Sequence, residues 1–311
     1  MFVYTLRRLI LAIPVLFAVL FITFTLGFYG PGDPLEIFYN EELVSDPEIT
    51  QRLRELHGLD RPFWEQFVDY FTGLLEGDWG DSISSGRPVW PSFAASMPIS
   101  AQLGLAAAVV LVVLGIPLGA LAAVKQNTWV DYLIVFVSIV VRSVPVFVLG
   151  PMLLIVLVLW LSIMNVPIGW KGIFHTNAIL PVLLMAAGPL LVVVRQTRVG
   201  VIEVLSENYI RTARAKGMRE RFVVWRHVLK NALTPVFTTM GLIMSGLVTG
   251  AFFVELIFGI PGFAGLGIEA FQARDYPVIL GVTIIGAAII IISNLLVDLG
   301  YGLLDPRIRY E

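Results

Sequence analysis

The side chains on which most catalysts rely are scattered or missing in this chain. Its three histidines, His57, His175 and His227, fall in separate segments with no metal-ligand spacing. It has no cysteine to serve as nucleophile or thiolate ligand. Neither a G-x-S-x-G turn nor an H-E-x-x-H helix occurs. No G-x-x-x-x-G-K-[ST] phosphate loop is present, so the chain is expected to hydrolyse no ATP and to bind no metal or cofactor. What remains is charge in unusual places. Arg142, Glu255 and Asp298 sit inside otherwise apolar runs, where an ionised group is costly and faces a cavity or a partner. The second concentration is segment 195–235, with nine Lys or Arg against the three acids Glu203, Glu207 and Glu220.

The elements that must position these residues follow from composition. At 57% hydrophobic and 14% charged residues, with a mean hydropathy of +0.85, the chain reads as a polytopic membrane protein. The net charge of −2 argues against a nucleic-acid partner and leaves membrane lipid as the surrounding medium. Apolar runs at 9–29, 99–124, 132–163, 178–194, 236–258 and 278–304 each approach or exceed the ~20 residues that cross a bilayer as a helix. They are continuous rather than alternating, which predicts six transmembrane helices in an all-α fold and excludes barrel strands. Arg7 and Arg8 resemble a signal-peptide flank, but the run after them is long and no small-x-small site precedes Pro31. It is therefore read as a retained anchor, with Met1 kept.

With both termini on the cytoplasmic side of a prokaryotic inner membrane, that side collects Arg7, Arg8, Lys125, the nine cations of 195–235, Arg307 and Arg309, fourteen of the 21 basic residues. The external segment 30–98 then carries a large acidic excess. Within it, Phe63, Phe67, Tyr70, Phe71 and Leu74 recur at helical spacing after an Asp60-Arg61-Pro62 start signal, predicting an amphipathic helix. Two readings fit it: a cap packed on the membrane surface, or a docking surface for a soluble extracytoplasmic protein.

In the basic segment, Leu205, Tyr209, Ala213 and Gly217 stand four apart. This predicts one helical face whose small residues Ala213 and Gly217 form a socket for a partner's side chains. Gly217 is suited to end that helix, and Phe222, Trp225, Arg226 and Leu229 begin a second, giving a helix-turn-helix elbow. The competing reading is a basic amphipathic helix lying on anionic lipid. Arg142, followed by Pro145, Gly150 and Pro151, is read either as a bundle or snorkelling cation or as a pathway residue, and Glu255 as a packing or pathway acid. Four glycines and a proline in 259–267 predict a turn or re-entrant piece rather than a regular helix.

The stretch YIRTARAKGMRERFVVWRHVLKNALTP at 209–235 resembles the cytoplasmic loop of ATP-binding-cassette importer permeases of the dipeptide, oligopeptide and nickel group. Similar points run along the chain: PGDP at 31–34, HGLDRP at 57–62, GDWGDS at 77–82, IPLG at 116–119, FGIPGFAGLG at 258–267, RDYP at 274–277 and NLLVDLGYGLLDPRIR at 294–309. The resemblance implies a type I (MetI-like) permease, with a first helix at 1–29, an extracytoplasmic insertion at 30–98 and a five-helix core at 99–311. It also implies a heterodimer with a second homologous permease subunit, two cytoplasmic ATPase domains holding ATP and Mg, and an extracytoplasmic substrate-binding protein. Tyr209, Arg211, Thr212, Ala213, Arg214, Lys216 and Gly217 would then be the ATPase-coupling residues. The wider superfamily pattern, Glu-Ala-Ala-x-x-x-Gly, places Arg211, Thr212 and Ala213 at its first three positions, so only Ala213 and Gly217 match and the glutamate is missing. The alternative, an ATP-independent secondary transporter or channel, calls for paired intramembrane ionisable residues and internal repeats, which this sequence does not display.

Overall fold

The computed structural model describes residues 2–30, 47–56, 60–248 and 252–304. Among them every regular element is helical, and the one β-bridge, Asp81 with Pro88, is isolated. Four helices are long and apolar enough to cross a bilayer. The number reaches six when Trp129–Ser143 with Val146–Trp160, and Phe252–Phe258 with Phe263–Gln272, each count as one broken span. The chain divides into two compact units, one built from Ile99–Pro261 and the chain from Ile292 onward, the other from Phe2–Pro98 and Gly262–Ile291.

The second unit contains α1 (Phe2–Tyr29), α2 (Pro47–Leu56), α3 (Phe63–Glu76) and the opening turns of α4 (Val89–Val124). It is completed by α12 (Phe263–Gln272) and the first half of α13 (Tyr276–Leu304). The apolar face expected of α3 exists, and it packs on α1. Phe63, Phe67 and Phe71 meet Phe17, Phe21, Phe24 and Phe28 mostly edge to face, a geometry worth about 0.5–1.5 kcal/mol per pair beyond area burial. The buried Asp275 carboxylate ties the 82–84 turn to the start of α13, accepting hydrogen bonds from Ser82 Oγ at 2.5 Å, Ser84 Oγ at 2.7 Å and the Ile83 and Ser84 amides at 3.2 Å. The predicted irregular piece at 259–267 is corrected: α12 starts at Phe263 and is capped by extended Gly262, so only 259–262 is a turn. Gly267 serves close packing, since a Cβ there would lie 2.9 Å from Val282.

The first unit is centred on α7 (Thr176–Leu205), half of whose apolar window is buried. Against it pack α4 and α10 (Thr234–Val248), through Leu103, Ala107, Leu111, Leu184, Val193 and Val236. Without a hydrophobic drive between helices in lipid, small residues allow close backbone approach. A Cβ on Gly119 of α4 would fall 2.5 Å from the Val194 carbonyl oxygen, and one on Gly200 of α7 would fall 2.7 Å from that of Ala232.

Two expected spans differ from the fold. The run 132–163 is not one helix but α5 (Trp129–Ser143) and α6 (Val146–Trp160), bent by 102°. Pro145 drives its predecessor Val144 into an extended conformation, with ψ at 118°, and breaks the rod. The run 178–194 is part of a helix that continues to Leu205, carrying Arg195 and Arg198 out of the expected loop and onto the span. The run 236–258 is α10 and α11 (Phe252–Phe258), with 249–251 outside the described residues.

Substituting Gly119→Leu or Gly200→Ala must push helices apart, and each is expected to cost about 1–3 kcal/mol. A fall in the thermal unfolding midpoint of the detergent-solubilised protein checks this, and an unchanged midpoint would refute the close contacts.

Candidate functional site

Beyond Leu205 the chain leaves α7 through Ser206 and an extended Glu207, then forms α8 (Asn208–Ala215). Lys216 ends α8, and Gly217 takes φ +75° with open space around its Cα. That left-handed conformation suits glycine, so the expected helix stop is where the sequence placed it. From an extended Arg219 the second arm, α9 (220–232), leads into α10. The elbow predicted from the sequence is present.

The socket is not. Leu205 belongs to α7 rather than α8, Gly217 lies past the end of α8, and Ala213 faces inward at 8% exposure. Ala213 packs with Ile210, Val223, Val228, Leu229 and Ala232 of the elbow, with Val201 of α7 and with Ala120 and Ala123 of α4. Of the four residues at that spacing only Ala213 is buried in this chain's own core, while Tyr209 and Gly217 are exposed. The two arms therefore share one interior with the ends of α4 and α7.

Two clamps close the elbow. Arg214 forks onto Glu220, Nε to Oε2 at 3.1 Å and Nη2 to Oε1 at 2.6 Å, across the Gly217 turn. Asn231 Nδ2 donates to the Tyr209 hydroxyl at 2.9 Å, joining the two arms at their far ends. The hydrogen bonds from Arg214 hold the Glu220 carboxyl below its ordinary value, and the same bonds raise Arg214. Both side chains are about half exposed, so the pair contributes only ~0.2–1 kcal/mol. Thr212 Oγ1 donates to the Asn208 carbonyl of its own helix, while Arg211 and Lys216 are exposed.

Sequence reasoning missed two features. The first is the outer face of α9, where Phe222 and Trp225, 50% and 71% exposed, line a shallow concavity with Arg221 and Arg226. The second is a buried fork beside the elbow. Arg198 of α7 donates Nε to Asp131 Oδ1 at 2.7 Å and Nη2 to Oδ2 at 2.8 Å, and Asp131 also accepts the Asn127 amide at 3.1 Å. The one available signal was an acid, Asp131, at the head of an apolar run, and nothing in the sequence names its partner. Arg142 and Glu255 are not joined: Arg142 is exposed in the last turn of α5, whereas Glu255 of α11 is 1% exposed and accepts Ser100 Oγ at 2.6 Å.

The arrangement is a stiff basic elbow fused to a long helix, with an aromatic and cationic outer face. Comparison with known sequences accords with that. Residues 115–310 match the family described as binding-protein-dependent transport system inner membrane component, and residues 1–114 match the corresponding N-terminal family. The chain belongs to this family of transport-system membrane components. It is 38% identical to the dipeptide transport system permease protein DppB of Escherichia coli strain K12, over 99% of each chain. Identity is 36% to the dipeptide permease protein DppB of Bacillus subtilis, covering 93% of this chain and 92% of that one, and 34% to the oligopeptide permease protein AppB of the same organism, over 99% of each. In fold it resembles a chain of the MetNI methionine ABC transporter, with a TM-score of 0.58 at 14% identity over 68% of this chain and 96% of the other. The MetI-like, all-α membrane fold expected from the sequence is thus the fold of this component.

Removing one partner of the buried fork leaves an unpaired charge, so Arg198→Ala is expected to destabilise by about 3–5 kcal/mol, with part recovered in the Arg198→Ala, Asp131→Ala double variant. Thermal unfolding of the three proteins measures the cycle, and additive losses would deny the pairing. Because the folded Glu220 pKa is lowered, the clamp's contribution is full above the ordinary carboxylate range and is lost as pH falls through the lowered value. Amide protection of α8 and α9, taken relative to the intrinsic exchange rate at each pH, should fall over that acid window in the native chain and not in Glu220→Gln, and identical profiles would contradict the clamp.

Proposed function

We propose that this membrane component is one permease half of an ATP-binding-cassette importer that admits dipeptides or oligopeptides. One observation carries the mechanism: the outer face of α9 offers Phe222 and Trp225 between Arg221 and Arg226 on an elbow packed into the ends of α4 and α7. Tryptophan and arginine are the residues that most often anchor protein interfaces, and a body held by two clamps passes displacement to the helix it is fused to. The partner of this face is a cytoplasmic ATPase domain, one of two in the complex, with ATP and Mg held there. Tyr209, Arg211, Thr212, Ala213, Arg214, Lys216 and Gly217 then serve coupling in different ways. Tyr209 and Arg214 stiffen the elbow, Ala213 packs it, Gly217 turns it, and Arg211, Thr212 and Lys216 line its surface.

The rest of the assembly follows from family membership and chemistry. The excess of Lys and Arg on the α8–α9 side supports a cytoplasmic position for both termini, by the positive-inside rule. Helix α1 packs one face on α3 and leaves Ile10, Ile13, Ile22 and Leu26 exposed elsewhere, an apolar surface that suits lipid and a second, homologous permease subunit. An extracytoplasmic binding protein delivers the substrate. Peptides are favoured because the dipeptide and oligopeptide permeases match over nearly the full length of both chains. Glu255 and Arg142 are candidate polar residues of the pathway or bundle.

The test is reconstitution with the partner permease subunit, the ATPases and the binding protein. Trp225→Ala is expected to lower binding-protein-stimulated ATP hydrolysis roughly tenfold or more, the effect of losing an interface anchor worth about 2 kcal/mol, while the unfolding midpoint is kept. Gly217→Trp, which forces a bulky residue into a left-handed turn, should uncouple hydrolysis from uptake. Undiminished stimulation in Trp225→Ala, together with uptake still coupled to hydrolysis in Gly217→Trp, would sink the docking role. Uptake by this chain without ATPase subunits would favour an ATP-independent transporter or channel instead.

A further inference from the structure

Helix α3 lies deeper than a surface cap would. Its ring contacts step along α1 in order: Phe63 meets Phe28 and Phe24, Phe67 meets Phe24, Phe21 and Phe17, and Phe71 meets Phe17. The two helices therefore run antiparallel, and α3 follows α1 back from its Tyr29 end as far as Phe17, a distance of about 18 Å at 1.5 Å per residue. The depth of α1 is itself constrained. Arg7 and Arg8 hold one end at an interface, and the apolar run 9–29 is only about 31 Å long, barely the ~30 Å of a hydrocarbon core, so α1 has no slack to slide outward. Phe17 is near mid-bilayer, and α3 reaches it.

Yet α3 is not apolar all round. Glu65, Asp69, Thr72 and Glu76 recur at spacings of four, three and four, form one stripe and are all exposed. Arg61, just before the helix, pairs with Asp69 midway along it, which leaves Glu65 and Glu76 to carry the stripe's net charge. An acid facing acyl chains at that depth costs roughly 2.5–3.5 kcal/mol, and like charges one turn apart repel. Both penalties fall away in water. The neighbouring stripe, Trp64, Val68 and Leu75, is exposed and apolar, as a lipid-facing surface should be. We propose that the Glu65–Asp69–Thr72–Glu76 face of α3 walls a water-filled vestibule that opens on the extracytoplasmic side and reaches the level of Phe17, about half-way through the bilayer.

This inference rests on the orientation proposed above, and the natural absence of cysteine makes both testable with one label. Asp69→Cys, Thr72→Cys, Val68→Cys and Lys216→Cys are introduced singly in the full transporter in right-side-out vesicles. Each is treated with a membrane-impermeant sulfonated maleimide and, separately, with a lipid-soluble one. The impermeant reagent is expected to modify Asp69→Cys and Thr72→Cys roughly tenfold or more faster than Val68→Cys, which should favour the lipid-soluble reagent, and to leave Lys216→Cys untouched. Thr72→Cys reacting only with the lipid-soluble reagent would put this face in acyl chains and overturn the vestibule. Silence towards both reagents would mean that another subunit covers it, and overturns the vestibule equally. If Lys216→Cys is labelled from outside, the orientation fails, and labelling of Thr72→Cys in inverted vesicles then decides the vestibule by itself.

Discussion

The Asp131–Arg198 fork is the interaction on which the α8–α9 end of the first unit depends. Asp131 is almost fully buried and Arg198 mostly so, and their two hydrogen bonds lock the start of α5 to α7. Such a pair adds little net stability over a well-packed apolar substitute, because desolvation offsets most of the attraction. What it supplies is position, since a planar guanidinium forked onto a carboxylate tolerates little displacement. It lies between two points of backbone approach, Gly119 against Val194 and Gly200 against Ala232. A shift in the α7 register would break all three contacts together.

The elbow inherits its position from that frame. Val201 of α7 and Ala120 and Ala123 of α4 contribute to the core that holds Ile210 and Ala213 on one arm and Val223, Val228 and Leu229 on the other. The exposed clamps, Arg214 with Glu220 and Tyr209 with Asn231, are each weak, but they act at opposite ends of the two arms, where rotation of one against the other would be greatest. In the second unit a similar division holds. Stacked and edge-on rings fix α3 on α1, while the Asp275 carboxylate, fully supplied with donors, pins the 82–84 turn.

Much of this was legible in the residues. Long apolar runs announce membrane helices because lipid offers no alternative partner for the backbone, and the clustered cations mark one side. Gly217 as a helix stop and Phe222 as the start of a second arm are local matters of backbone preference, and the fold honours both. The misreadings concern direction and distance. The spacing that singled out Ala213 could not say whether that residue faced a partner or the chain's own core. Asp131 and Arg198 are far apart in sequence, and no local pattern links them. The 102° bend at Val144–Pro145 comes from one proline that a run of hydropathy averages away. Which rings of α1 the apolar face of α3 would meet is likewise a tertiary fact.

The central claim is that the elbow and α7 move as one body. Because the chain has no cysteine, Val199→Cys on α7 and Arg219→Cys at the elbow turn, both exposed, can carry the only two spin labels in this subunit. Electron–electron distance measurements on the assembled transporter, without nucleotide and with a non-hydrolysable ATP analogue, should give the same narrow distribution in both states, within the width of the labels. A distribution that shifts or broadens when nucleotide binds would show the elbow hinging on α7, and would contradict rigid transmission through the Asp131–Arg198 frame.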